Sequence, residues 1–400
     1  MSNVFVVTDL VAKESLRIAH EKCQFIGTVD RQYDSSFTYD PGRGQHGQTL
    51  RVKSPNMYTR RQGSRVMAVQ DQAEASQTIT VATQDGVDMR FNSAELIQSV
   101  DSDGAFDELS RKYIQPAISS LVSGIEADFI AYATKATYNC AGTAGTPLTD
   151  LTVPGAARAK LNQNLAPKDG NRFIMADSVT MGGMVNGLKG LFQDSEQIKK
   201  QYREGMMGRT AMADWYENDR MWTLTNGSDV TCTMAAAAAV TDGGNVMTMA
   251  SLSAAPATGA VFTIPGIYAC HPETKASLGV LQQFVVTAGT TTIQTVSPAT
   301  ILSGPRQNLC SSTGAALTTA SFNGTGIVPV FVGAASIVYV HTRMYHRGAF
   351  LFITADLPIL DDAQKCVRVN KDGLSLRCWM GSDIRNDELL LRVEILYGMA

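Results

Sequence analysis

The sequence predicts an α+β chain built from more than one lobe. Three observations carry that expectation: a long helical periodicity from Asp103 to Ala136, alternating segments near both ends, and a charge-poor block between them. Four hundred residues exceed what one hydrophobic core usually serves. The apolar fraction of 44% is ordinary and the charged fraction of 18% is low, so a folded chain is expected.

The first element is a helical stretch in which Val11, Leu16, Ile18 and Ala19 sit among Lys13, Glu14 and Arg17. A polar, Gly-rich passage follows, so residues 1–46 read as an N-terminal arm. Gln48 to Lys53 alternates through Leu50 and Val52, and Thr78 to Ala82 repeats the pattern through Ile79 and Val81. The polar connection between these strands exceeds twenty residues, a length that normally argues for a task outside its own domain. Residues 47–85 are therefore expected to form an extended β-hairpin loop.

From Asp103 to Ala136 the apolar residues Phe106, Leu109, Tyr113, Ile118, Leu121, Val122, Ile125, Phe129, Tyr132 and Ala133 fall mostly at spacings of three and four. At ~1.5 Å per residue this spine would reach roughly 45 to 50 Å, with a kink expected at Pro116. Leu151 to Leu165 predicts a second helix, Arg172 to Ala176 a strand, and Val179 to Phe192 a third helix whose glycines imply close packing. Tyr202 to Thr225 reads as irregular. Residues 86–225 thus make the spine and an α+β lobe.

Asn226 to Thr325 holds only five charged residues, Asp229, Asp242, Glu273, Lys275 and Arg306, which marks 226–325 as an inserted β-rich domain. Ala260 to Ile264, Gln283 to Thr287 and Thr291 to Val296 are its expected strands. Beyond it, 326–400 returns to the interrupted lobe. Ile327 to Val332, Ser336 to Val340 and Ala349 to Ile353 read as buried strands, and Leu374 to Met380 alternates. In the closing strand Leu391, Val393, Ile395 and Tyr397 share one face, opposite Arg392 and Glu394.

Charge and motifs exclude several functions. A net charge of −3 and a pI near 6.0 offer no broad basic face for reading a duplex. Met1 to Leu10 lacks a basic start, so no secretory signal is expected. The most apolar window, Ile327 to Val340, is too short for a membrane span. Seven scattered cysteines without a CxxC pair predict reduced thiols.

Gly42-Arg43-Gly44-Gln45-His46-Gly47 has dinucleotide-fingerprint spacing but lacks the strand before and the helix after. His341 and His346, five apart on a strand, would face opposite ways and could not share a metal. Asp361 and Asp362 are adjacent and fail as an acid and base pair for the same reason. Cys366 and Cys378 have no evident base. No enzyme activity, cofactor or metal is expected.

Four stretches carry a resemblance: Gln48 to Lys53, Arg111 to Ala136, Gln201 to Gly227 with its Tyr202-Arg203-Glu204-Gly205, and Asp372 to Ala400 with its closing Ile395-Leu396-Tyr397-Gly398. In this order they resemble tailed-phage major capsid proteins of the Hong Kong 97 fold, and more narrowly the coat proteins of phage P twenty-two and its relatives, which carry an inserted β-barrel-like domain. The family's charged loop in that domain corresponds here to Thr241 to Asn245, which keeps only Asp242.

The resemblance implies self-assembly into hexamers and pentamers of an icosahedral virion shell in the host bacterial cytoplasm. It also implies a scaffolding protein, a portal protein, packaged double-stranded DNA bound without sequence specificity, and room for a decoration protein. The expected inter-subunit contact joins Arg60, Arg61 and Arg65 at the loop tip to Asp101, Asp103, Asp107 and Glu108 near the spine start. An encapsulin-type nanocompartment shell, or a soluble enzyme with an unfamiliar site, are the alternatives.

Overall fold

The computed structural model describes residues 12–19, 23–31, 49–67, 69–70, 74, 76–92, 113–143, 146–188, 208–225, 232–250, 252, 255–329, 338–359, 365–371 and 374–400. It is an α+β structure divided into two compact units. The first takes in residues up to Lys53, Ser76–Phe129 and Arg347–Ala400; the second takes in Ser54–Ala75 and Ile130–His346.

The first unit is organised by the closing strand Glu388–Met399, which pairs antiparallel with Leu374–Asp383, with Phe352–Ala355 and with Thr83–Asn92. Lys365–Lys371 extends the sheet from Leu374–Asp383. Leu391, Val393, Ile395 and Tyr397 are buried, as their alternation predicts. Leu374–Asp383 departs from the expected alternation, because Leu374 through Cys378 are buried without a break, Ser375 and Arg377 included. Thr83–Asn92 was not expected as a strand, although Val87, Met89 and Phe91 alternate with Asp88 and Arg90; it follows the closing strand over ten register pairs.

The strands Thr49–Lys53 and Ser76–Thr80 pair antiparallel, with Leu50 opposite Ile79. Ile79 and Val81 pack with Ile353, Leu351 and Leu396. Gly398 permits the approach, since a Cβ there would stand 2.5 Å from the Thr80 carbonyl oxygen. Residues 12–19 are helical and bury Ala12, Leu16, Ile18 and Ala19, while the short helix Phe25–Thr28 buries Phe25 and Ile26. Phe25 packs 4.8 Å from Phe129, and its N–H donates at 2.5 Å to the fully buried carboxylate of Glu126. This early segment is core material in this unit, where an arm was expected; the rest of that arm and the Gly42 to Gly47 motif lie outside the described residues.

The spine helix runs from Gln115 to Ala136, about 33 Å at ~1.5 Å per residue. Pro116 is its second residue, directly after the π-helical residues Tyr113 and Ile114. The upstream part of the expected spine, Asp103 to Lys112, lies outside the described residues.

In the second unit Arg172–Ala176 pairs parallel with Ala213–Glu217 and antiparallel with Arg343–His346; Arg209–Thr210 flanks Ala213–Glu217. The segment expected to be irregular therefore supplies an inner strand, with Ala213 and Trp215 buried, followed by Thr223–Thr225. Short strands bounded by left-handed residues, Ala211 at φ 57° and Met212 at φ 63°, leave little periodicity to read. The helices Thr152–Gln163 and Ser178–Leu188 match their expected positions. Gly187 is obligatory in its packing, because a Cβ would come within 1.7 Å of the Thr149 carbonyl oxygen.

A six-stranded sheet has its own core within this unit. Its order is Leu309–Cys310, Val261–Cys270, Ser277–Gly289, Ile293–Thr300, Gly244–Thr248, with Val328–Pro329 also on Val261–Cys270. Phe262, Phe284 and Phe322 centre a cluster that includes Ile264, Met247 and Leu309. Of the buried strand expected over Ile327 to Val332, Val328–Pro329 is a strand with Val328 half exposed and 330–332 lie outside the described residues; of Ser336 to Val340, Val338–Val340 is described, buries Tyr339 and pairs with Thr223–Thr225.

Candidate functional site

The polar connection Ser54–Ala75 belongs to the second unit, and most of its described residues are exposed. Near its root Thr59 and Gln70 bind reciprocally: the Thr59 N–H donates to Gln70 Oε1 at 2.9 Å, and Gln70 Nε2 donates to the Thr59 carbonyl at 2.6 Å. With a third hydrogen bond, from the Thr59 hydroxyl to Gln70 Oε1 at 3.0 Å, these contacts across eleven residues tie the two sides of the loop together. Gly63, at φ 77°, makes the turn that a residue with a Cβ adopts only under strain.

The tip is apolar as well as basic. Val66, Met67 and Val69 are 76%, 78% and 81% exposed, with Tyr58 at 55%. Arg60, Arg61 and Arg65 are all exposed; Arg60 donates to Gln62 Oε1 at 3.1 Å and Arg61 to the Val66 carbonyl. None of the three is joined to a carboxylate among the described residues. The acidic side of the expected contact, Asp101, Asp103, Asp107 and Glu108, lies outside the described residues. Sequence reading singled out the arginines and passed over the aliphatic tip, although Val66-Met67 inside a polar segment was the available signal.

The other candidates separate in space. His346 faces Asp169 at 3.1 Å, while His341 packs against Trp222 with ring centroids 5.5 Å apart, so the two histidines have different surroundings. Burial, followed by the nearby Arg343 charge, pulls the His341 pKa down to about 4. The Asn171 backbone N–H and amide, ahead of His346, hold the Asp169 carboxyl down to about 2. No group of three His, Cys, Asp or Glu that could hold a metal occurs among the described residues. Cys366 stands opposite Trp379 and Cys378 opposite Val367, so the two thiols occupy opposite faces of their strand pair. Asp361 and Asp362 lie outside the described residues. Asp242 is turned to its own domain, accepting the Leu302 N–H at 2.8 Å.

Among the described residues no helix is long and apolar enough to cross a membrane. No family model matches the chain, and no curated protein matches it. Among solved structures it is similar to a chain of Mycobacterium phage Che8, at 10% identity and a TM-score of 0.44, covering 94% of this chain and 86% of that one. It is similar to a chain of the bacteriophage PhiM1 mature capsid at 10% identity and 0.39, covering 88% and 78%. A chain of the Staphylococcus phage Andhra capsid shares 8% identity at 0.40, covering 94% and 81%.

Proposed function

We propose that the chain is a major capsid protein, whose copies assemble the icosahedral shell around the double-stranded DNA of a tailed bacteriophage. The observation that carries this reading is the polar connection: a loop tied across by Thr59 and Gln70 that holds Val66, Met67 and Val69 in solvent. Burying each such side chain is worth roughly 1.5–3 kcal/mol, and the connection's own chain leaves that gain unused. A neighbouring copy would collect it. Repeated around a closed lattice, modest contacts add through multivalency and symmetry. The order of hairpin, spine helix, α+β lobe, inserted sheet and returning strands supports the same reading.

In this reading Arg60, Arg61 and Arg65 meet carboxylates of an adjacent copy, with Asp101, Asp103, Asp107 and Glu108 as acceptors. Rim pairs contribute only ~0–1 kcal/mol each, so they set register while the aliphatic tip supplies strength. The shell forms in the host cytoplasm with a scaffolding protein and a portal, and later holds DNA without sequence recognition.

Electron microscopy of the chain expressed alone and with its neighbouring genes tests the function, with closed shells or tubes as the expected product. A preparation that stays monomeric in both conditions overturns it. Reversing the charge at all three arginines should change shell size or yield; unchanged particles would remove the arginine contact and leave the rest of the reading standing.

A further inference from the structure

A second feature of the same unit is a cleft of about 140 Å³ whose walls carry positive charge and no negative charge. Lys160 and Arg306 line it together with the amides of Asn139, Gln163, Asn164 and Asn308. No aspartate or glutamate is among its lining residues. The Lys160 ammonium is held by neutral acceptors only, the Cys140 carbonyl and Gln283 Oε1. Behind the wall Lys275 donates to the carbonyls of Pro272 at 2.6 Å, Pro305 at 2.5 Å and Gln307 at 3.3 Å. Lys160 and Arg306 thus share a cleft in which neither has a carboxylate partner among the described residues.

That arrangement stores electrostatic attraction for an anion. Burial, ahead of the opposing influence of nearby Cys140, lowers the pKa of Lys160. Arg306 presents a planar guanidinium fork suited to a carboxylate. Neither Arg306 nor the Gln163 amide makes a hydrogen bond to any described residue, so their donors are available.

We propose that this cleft receives a glutamate or aspartate side chain carried on an acidic peptide segment of another protein chain. Its volume is well below the roughly 300–1,000 Å³ of pockets that enclose a drug-sized molecule, and it suits one side chain. The Gln163 amide favours a peptide over a nucleic-acid backbone: it offers donors and an acceptor, which a flanking peptide group satisfies on both counts, whereas a phosphodiester only accepts; the Asn308 and Asn164 amides are engaged within the chain, with Ala299 and Ile301 and with Lys160. The proposal goes beyond the shell reading and does not depend on it.

Isothermal titration calorimetry on the full chain, with hexaglutamate, hexaglutamine and inorganic phosphate as probes, tests it. Hexaglutamate should bind while hexaglutamine and phosphate do not. Arg306→Gln should weaken that binding by about tenfold or more, the cost of removing one member of a partly buried charge pair. Arg209→Gln, at an exposed ion pair with Asp214, should leave it unchanged. Absence of hexaglutamate binding, equal binding by Arg306→Gln, or binding of phosphate in place of the peptide each overturns the assignment. A footprint on the unsubstituted chain keeps the question decidable if the variant misfolds: hexaglutamate should protect Lys160 from acetylation as read by mass spectrometry, and unchanged labelling refutes the site.

Discussion

Arg377 and Glu394 show how register places charge. They are direct partners across Leu374–Asp383 and Glu388–Met399, both buried, with Nη2 and Oε2 2.7 Å apart. Gly86 lies opposite Glu394 on the third strand, and a Cβ there would crowd Glu394 Cγ at 3.1 Å. Two residues along, Arg392 bonds Asp88 at 2.7 Å, and the Arg377 and Arg392 guanidinium groups each lie 5.9 Å from the Trp379 ring. Replacing Arg377 with Met should destabilise the fold by about 3 kcal/mol, since it leaves a buried carboxylate to Gln84 and Arg392 alone. Chemical denaturation measures that loss. His341 makes an acid-sensitive counterpart. Its folded pKa of about 4 lies below the ordinary 6.5, so the unfolded chain binds the extra proton between those values. Its contribution is complete above about pH 6.5 and is lost as pH falls toward 4; His341→Gln should flatten that part of the melting-temperature profile, and an unaltered profile would count against it.

Elements differ in how plainly the sequence announces them. The closing strand was legible because a buried face imposes a period. Thr83–Asn92 and Ala213–Glu217 were missed: the first carries Gly86 and polar ladder residues, and the second is short and takes its place only by pairing with Arg172–Ala176. The charge-poor block was recognisable by composition, yet only the pairing shows that its sheet extends to Val328–Pro329. With a core enclosing Phe262, Phe284 and Phe322, a fragment spanning residues 226–329 should unfold cooperatively by circular dichroism. Phe284→Ala within it should cost about 3–5 kcal/mol. A featureless melt of the unsubstituted fragment would show that the sheet relies on the rest of the unit.

For the whole molecule, assembly and folding should respond to different residues. Changing Val66, Met67 and Val69 together to Ser removes only solvent-exposed apolar surface, so the melting temperature of the subunit should hold while the yield of shells by sedimentation falls. Equal shell yield would disconnect the tip from assembly. The chain's periodicities and composition determined by themselves that there would be a long helix, a charge-poor β-rich segment and a polar connection, because local burial patterns repeat every 2 or 3.6 residues. Which charges meet, which strand lies beside the closing strand, and that Lys160 and Arg306 share a cleft were decided only in three dimensions. Residues more than a hundred positions apart leave no local period, and their attraction acts only once the backbone has brought them together.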